Sequence, residues 1–235
     1  MILRMGGKRD WYVTLAEPAL LDKPVVLRPA RLADAHAWRE IHVRNAAWLR
    51  PWQATQAGES LRRPSLGSYL RMLGGAYRQR LRREGLSWVI IYGGELAGQL
   101  TVGSIVWGPN RSALIGYWVD QRCAGHGIAP TALAMAVDHS FHVVGLHRLE
   151  AGIQPDNHAS RRVMEKLGFH EEGLRRGSVH INGAWRDHLC YALTAEEVHD
   201  GLMARWRTAF LASKSASQTD VAKRATASQD SSPSR

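Results

Sequence analysis

The chain has 235 residues, of which 45% are hydrophobic and 22% are charged. This composition is ordinary for a globular protein, and the length allows one domain or one and a half. No apolar run approaches the roughly 20 residues that a membrane-spanning helix needs, which argues against an integral membrane protein. The formal net charge of +10 favours anionic partners such as nucleotides, phosphates or RNA.

The two chain features that report on compartment both predict a cytoplasmic protein. The N-terminal sequence lacks the apolar core of a signal peptide. Cys123 and Cys190 have no spacing typical of a disulfide framework or a zinc site. We therefore expect a reducing compartment, no structural metal and no membrane association.

Composition divides the chain into three segments. Residues 1–24 are predicted to be an N-terminal extension, and residues 25–212 to be one domain. The tail over 213–235 is rich in Ser and Ala and contains no aromatic residue. We expect this tail to be disordered because it cannot bury enough apolar surface.

The first predicted elements are one strand and two helices. Hydrophobic spacing and capping residues place the strand at Val25–Arg28, one helix between Asp34 and Pro51, and one helix over Ser65–Glu84. The apolar face of the first helix carries Trp38, Ile41, Val43 and Trp48. The second helix has a strongly basic polar face.

A meander and a strand–loop–helix unit follow. Strands are predicted at Ser87–Tyr92, Leu96–Trp107 and Ser112–Val119, with a tight hairpin at Gly93-Gly94. The third strand runs into a glycine-rich loop and a helix. Next come a strand at Arg148–Gln154, a helix from Asn157 to Gly168, and two strands joined at Asn182-Gly183.

The glycine-rich loop carries the first chemical signal. Its sequence is Arg122-Cys123-Ala124-Gly125-His126-Gly127. Glycines let a ligand approach the backbone, and the following helix start offers unpaired N–H groups and a positive dipole end, which suits pyrophosphate. The dinucleotide fingerprint is excluded because Pro130 stands where its third glycine belongs, and no Gly-Lys-Ser/Thr follows as a phosphate loop requires.

Arg-x-x-Gly-x-Gly between a strand and a helix resembles motif A of the GNAT acyl-CoA N-acetyltransferases, and the segment 157–169 resembles their motif B. Three further stretches, 49–52, 115–119 and 182–188, are similar to the RimJ branch of this family, the ribosomal-protein alanine N-acetyltransferases. The resemblance covers roughly residues 25–194. It departs at Ala124, where the family commonly has Gln or Arg, which predicts weakened or redistributed phosphate contacts.

The resemblance implies an α/β GNAT acyltransferase fold: a mixed central sheet with an antiparallel meander, flanking helices, and two strands that splay apart at the acetyl-CoA site. The implied cofactor-binding residues are Val119, Arg122, Ala124, Gly125, His126, Gly127, Ile128 and Asn157. Ser160 would face the sulfur of acetyl-CoA, the implied cosubstrate. Cys123 would lie at the diphosphate end, away from the acetyl group.

Direct transfer in a ternary complex needs a neutral acceptor amine, and a general base can supply it. Glu150, on the strand entering motif B, and His180, before the Asn182-Gly183 turn, are the candidate bases. In a related branch a glutamate stands one residue before His180, and Val179 occupies that position here. The sequence therefore leaves the base open.

The first hypothesis is an N-acetyltransferase that modifies the N-terminal α-amine of a ribosomal or similar protein. One alternative is a GNAT enzyme for a small amine such as an antibiotic or polyamine. Another is a ribosome- or RNA-associated binding protein without turnover. The tryptophans at 48–52 and the basic stretch 62–83 are predicted to shape the acceptor entrance, and the basic stretch to contact RNA or the ribosome.

Overall fold

The computed structural model describes residues 11–58 and 63–229, with side chains described as far as residue 216. Strands in these ranges form one mixed sheet in the order β1-β2-β3-β4-β5-β6-β8-β7. The strands are β1 (Leu15–Glu17), β2 (Val25–Pro29), β3 (Leu86–Tyr92), β4 (Glu95–Val106), β5 (Ser112–Val119), β6 (Arg148–Ile153), β7 (His170–Ile181) and β8 (Ala184–Thr194). The helices are α1 (Ala35–Arg44), α2 (Ala46–Leu49), α3 (Leu66–Arg82), α4 (Ile128–Asp138), α5 (His158–Leu167) and α6 (Leu202–Gln229).

Strands β3, β4 and β5 form the predicted antiparallel meander, and β2 and β1 extend it at one edge. Gly93 and Gly94 adopt φ of 57° and 90° between β3 and β4, as a tight hairpin with right-handed strand twist requires. The second predicted hairpin is also present: Asn182 and Gly183 have φ of 49° and 86° between β7 and β8. Both turns follow from local residue chemistry.

The sheet splays where its direction changes. Strands β5 and β6 are parallel and pair only from Ser112 with Arg148 to Leu114 with Glu150. Beyond Leu114, β5 continues to pair with β4 alone, as far as Val119 opposite Gly98. A gap therefore opens between β5 and β6, as the sequence resemblance predicts.

Helix α4 lies at the centre of the core. All of its residues from Ile128 to Val137 are buried, and it contacts α5, α6 and the sheet. Its many alanines let these neighbours approach closely. The chain then makes a π-helical turn at His139–Val144 before β6 begins.

The first predicted helix is divided in two at Asn45. The Asn45 side chain is buried, donates a hydrogen bond to the Ile41 carbonyl oxygen at 2.8 Å, and donates to the Asp120 carboxylate at 3.1 Å. Val43, predicted on the apolar face, is exposed, whereas Trp38 and Ile41 are buried. The asparagine side chain thus ties the end of α1 to the loop after β5.

Both ends of the chain differ from the prediction. Residues 15–17 of the predicted N-terminal extension form β1, which pairs with β2 at the sheet edge. Where composition predicts a disordered tail from Ser213, α6 continues to Gln229. No Gly or Pro interrupts residues 202–229, and the frequent alanines favour a helix. Residues 230–235 of that tail lie outside the described part of the chain.

Candidate active site

A cleft of about 750 Å³ opens at the gap between β5 and β6. Its walls come from the end of β5, the glycine-rich loop, and the first turns of α4 and α5. A further wall comes from α6, and Trp48, Leu49 and Trp52 lie at another edge. The splayed strands thus create a long cavity that starts at a helix N-terminus.

The glycine loop has a backbone that favours glycine at two positions. Gly125 and Gly127 both have φ of 82°, and Gly127 is the N-cap of α4. A Cβ atom at Gly127 would lie 3.0 Å from the Phe210 ring, whereas one at Gly125 would meet nothing within 4 Å. The first N–H groups of α4 have no acceptor within the helix, so the loop presents donors and a positive dipole end to the cleft. This cradle fits a diphosphate.

The loop is anchored by Asp120, a buried carboxylate directly after β5. Asp120 accepts hydrogen bonds from Arg44 at 2.6 Å and from the Arg122 side chain at 3.1 Å. Burial acts to raise the pKa of Asp120, but these partners and Asn45 outweigh it and lower the pKa to about 2. The carboxylate is therefore ionised and holds the start of the loop in place.

The predicted loop residues have unequal positions. Ala124, Gly125, Gly127 and Ile128 line the cleft, but Arg122 and His126 do not. The Arg122 guanidinium is bound to Asp120, so its side chain positions the loop rather than facing the cleft. His126 is exposed and can contribute only its backbone N–H here.

Asn157 and Ser160 both line the cleft at the start of α5. The Asn157 Oδ1 atom accepts a hydrogen bond from the Ser160 N–H at 3.1 Å, which makes Asn157 the N-cap of the helix. The capped first turn of α5 therefore lies beside the gap between the strands. Val119, the other residue predicted to contact the pantetheine arm, lines the same cleft.

Tyr117 is a polar wall residue that the sequence reasoning did not assign to the site. Its hydroxyl group is fully buried and has no hydrogen-bond partner among the described residues. Burial raises the pKa of Tyr117 to about 12; the nearby Ser160 hydroxyl acts in the opposite direction, although the two groups do not reach hydrogen-bond geometry. Strand alternation offered a signal, since Tyr117 shares a face with the buried Ala113 and Ile115.

Cys123 also lines the cleft, at the loop. Burial, reinforced by the negative charge of Asp120, raises the pKa of the Cys123 thiol. A thiol that stays protonated is a weak nucleophile. The raised pKa therefore disfavours Cys123 as a nucleophile.

Glu150 lies outside the cleft lining. Its carboxylate accepts hydrogen bonds from Arg148 at 2.9 Å and from Arg175 at 2.8 Å. Burial acts to raise the pKa of Glu150, but the two guanidinium groups outweigh it and hold the pKa below its ordinary value. A carboxylate stabilised in this way is a poor acceptor for a proton.

His180 does not line the cleft; it bonds instead to Thr55, in the segment that follows α2. Its Nδ1 atom is 2.8 Å from the Thr55 hydroxyl oxygen, and its carbonyl oxygen accepts the Thr55 N–H at 2.8 Å. Asn182 of the β7–β8 turn donates to the Arg50 carbonyl oxygen at 2.6 Å. These bonds fasten the segment that carries Trp48 and Trp52 to the hairpin.

The described part of the basic stretch, residues 63–83, lies on α3 and at its two ends and does not line the cleft. Arg83 lies over the ring of Trp107, 4.8 Å from its centroid, and Arg80 lies over Tyr12 at 5.4 Å. Arg71, Arg78 and Arg82 are exposed on the helix. Arg62 lies outside the described residues. The structure thus separates this basic surface from the cavity.

Two kinds of feature are absent from the described residues. No group of three or more His, Cys, Asp or Glu side chains there is arranged to hold a metal ion. Within the same residues, no helix combines the length and apolar character needed to cross a membrane.

A mixed sheet that splays beside a glycine loop at a helix N-terminus is the arrangement that the sequence resemblance implies. The chain belongs to the acetyltransferase (GNAT) domain family, whose model matches residues 25–170. The predicted family and fold are thereby confirmed.

Particular relatives place it near ribosomal-protein acetyltransferases. It is 40% identical to Mycobacterium smegmatis RimJ, solved in complex with CoA-disulfide, with a TM-score of 0.79 over 85% of this chain and 95% of that one. It is 27% identical over 173 residues to the [ribosomal protein uS5]-alanine N-acetyltransferase of Escherichia coli, covering 70% of this chain and 85% of that protein. It is 45% identical over 98 residues to the probable N-acetyltransferase YjcK of Bacillus subtilis, covering 42% of this chain. The last match spans 54%, about half, of that relative.

Proposed function

We propose that this chain is an acetyl-CoA-dependent N-acetyltransferase that modifies the N-terminal α-amine of a ribosomal or similar protein. One observation carries the proposal: the glycine loop at the start of α4 and Ser160 at the start of α5 face the same cleft between splayed strands. The similarity to RimJ and to the uS5-alanine N-acetyltransferase supports the acceptor class. The cytoplasm, where ribosomes work, is the proposed compartment.

The chain's own groups suit each part of the cosubstrate. The N–H groups around Gly127 and the positive end of α4 bind and neutralise the diphosphate. The edge of β5 that β6 leaves unpaired, near Val119, offers backbone bonds to the pantetheine arm. The thioester of acetyl-CoA supplies the activated acetyl group. Ser160 donates a hydrogen bond to the sulfur as negative charge develops there.

The acceptor amine needs little help from a base. An α-amine with a pKa of about 7.8 is roughly one third neutral at pH 7.5, whereas a lysine amine is about 0.1% neutral. Glu150 is ion-paired with Arg148 and Arg175 and lies outside the cleft lining, and His180 bonds to Thr55. We therefore propose that the released proton passes directly to water rather than to either candidate base.

The test presents the protein and acetyl-CoA with three kinds of amine, read by mass spectrometry. The first is a short peptide that begins with a free alanine. The second is the same peptide with a blocked N-terminus and one internal lysine. The third is a set of small amines that includes a polyamine and an aminoglycoside.

We expect one acetyl group on the free N-terminal peptide and none on its blocked counterpart. Acetylation of the small amines alone would replace this proposal with a small-molecule enzyme. Binding of CoA without turnover on any acceptor would support the binding-protein alternative. The blocked peptide is the matched control, because it differs from the substrate only at the reacting amine and the added lysine.

A further inference from the structure

Tyr117 brings a buried hydroxyl group to the cleft without a partner for it. Among the described residues, three buried side-chain polar atoms lack a hydrogen-bond partner: the Tyr117 hydroxyl, the Trp38 indole nitrogen and His139 Nδ1. Trp38 and His139 do not line the cleft, whereas Tyr117 does. An unpaired buried hydroxyl lowers the stability of the folded state. At a cleft wall, such a group has a reason to be present if it finds its partner during the reaction.

The position of Tyr117 is fixed by its strand. Tyr117 pairs with Leu100 of β4, whose side chain is fully buried. On the other side of β5, pairing with β6 stops at Leu114, three residues earlier. Tyr117 therefore lies beside the gap between the splayed strands, on a backbone that one neighbouring strand still holds.

Ser160 is the polar side chain that the structure places near the Tyr117 hydroxyl. Its backbone is held by the Asn157 cap, which accepts the Ser160 N–H at 3.1 Å. This bond does not set the direction of the serine hydroxyl, because the side chain has three staggered rotamers and the hydroxyl hydrogen rotates. Stabilising a sulfur anion needs one of these directions, with the hydrogen aimed at the sulfur.

The two hydroxyl groups have complementary roles. Burial raises the pKa of Tyr117 to about 12, and the Ser160 hydroxyl acts in the opposite direction. Tyr117 is therefore protonated at neutral pH and can donate a hydrogen bond. A serine hydroxyl can accept one hydrogen bond while it donates another. If Ser160 accepts the hydrogen of Tyr117, its own hydrogen must point elsewhere, which leaves it free for a group in the cleft.

We propose that Tyr117 is a positioning residue for Ser160: the tyrosine hydroxyl donates to Ser160 Oγ in the complex with acetyl-CoA, and this directs the serine hydrogen to the sulfur. Neither hydroxyl gives up its proton. As the bond between the acetyl carbon and sulfur breaks, the electron pair stays on sulfur, and the two aligned hydrogen bonds polarise each other to stabilise it. The inference rests on the proposed function and adds a residue that acts through Ser160.

The test is a double-mutant cycle of Tyr117→Phe and Ser160→Ala, measured by steady-state acetylation of the free N-terminal peptide. Tyr117→Phe keeps the ring and should lower kcat at least about fivefold while it changes the KM for acetyl-CoA less than about twofold. It should have no further effect in the S160A background, because a residue that acts through Ser160 loses its role with it. Tyr77→Phe removes the hydroxyl of an exposed tyrosine on α3, outside the cleft, and should match the parent.

Urea unfolding of the same variants separates this role from a structural one. Tyr117→Phe removes a buried hydroxyl that has no partner, so its unfolding midpoint should equal or exceed that of the parent. Lower turnover in an equally stable or more stable protein is the expected result. A structural hydroxyl would give a lower midpoint together with lower turnover.

Four results would overturn the inference. Tyr117→Phe could turn over like the parent, Ser160→Ala could do so, or Tyr117→Phe could lower kcat by the same factor in both backgrounds. The fourth is a lower unfolding midpoint for Tyr117→Phe. A failure of the proposed function looks different, because the parent itself would then acetylate no N-terminal peptide, and the inference would fall with it.

Discussion

Asp120 provides a quantitative test of how the loop is held. The change is Asp120→Asn, which keeps the shape of the side chain and removes its charge. The pKa of Asp120 falls from 3.8 to about 2 in the folded protein. A shift of nearly two units corresponds to about 2.5 kcal/mol of folding free energy at neutral pH.

The partners left behind add little to this cost. The Arg44 and Arg122 side chains are 37% and 64% exposed, so water can solvate their charges when the carboxylate is gone. We therefore expect Asp120→Asn to lower the unfolding free energy by about 2–3 kcal/mol at pH 7. Urea unfolding of both proteins measures this difference.

The pH dependence has a defined sign. A carboxylate with a lowered pKa stabilises the folded state above its unfolded value, near 3.8, and loses that contribution as pH falls toward 2. The gap between parent and variant should therefore shrink below pH 4. A difference below about 0.5 kcal/mol at pH 7, which is typical of a neutral surface change, would refute the reasoning. So would a gap that stays constant with pH. Asp200→Asn, at an exposed position, is the control and should change little.

Gly127→Ala should lower the free energy of unfolding, measured in urea, by about 1 kcal/mol more than Gly125→Ala does. Both glycines have φ of 82°, but only a Cβ atom at position 127 would press on Phe210. Equal losses in the two variants would contradict this. Ser160→Ala should lower kcat more than it raises the KM for acetyl-CoA in steady-state assays, since its hydrogen bond strengthens as the thiolate forms; full turnover would leave Ser160 with no role beyond its place in the first turn of α5. Replacing the exposed α3 arginines Arg71, Arg78 and Arg82 with Gln should preserve turnover on a short peptide and reduce it on ribosomal particles at low salt, because steering charges are lost. Parent-like rates on both substrates would make them an ordinary solvated surface.

Much of the fold could be predicted because its signals are local. The Asn182-Gly183 turn depends only on residues that tolerate positive φ. The glycine loop and the Asn157 cap likewise depend on residues within four positions of each other. Their chain order also carried the family resemblance, and with it the expectation of splayed strands.

The break between α1 and α2 shows what local patterns miss. Hydrophobic spacing continues through Asn45, but its side chain bonds to Asp120, 75 residues away. The residue type of Glu150 and its position on the strand before motif B made it a candidate general base. Its pairing with Arg175, on a strand two places away in the sheet, is visible only once β6, β8 and β7 are aligned.

Most of the elements, their order and the loop that faces the cleft could be predicted from the sequence, because turns, caps and alternation are set by neighbouring residues. The folded structure was needed to show that Arg122 binds Asp120, that Tyr117 buries its hydroxyl near Ser160, and that α6 forms a wall of the cavity. Each of these depends on burial and on contacts between distant segments. Such contacts have no period or spacing in the chain from which they could be read.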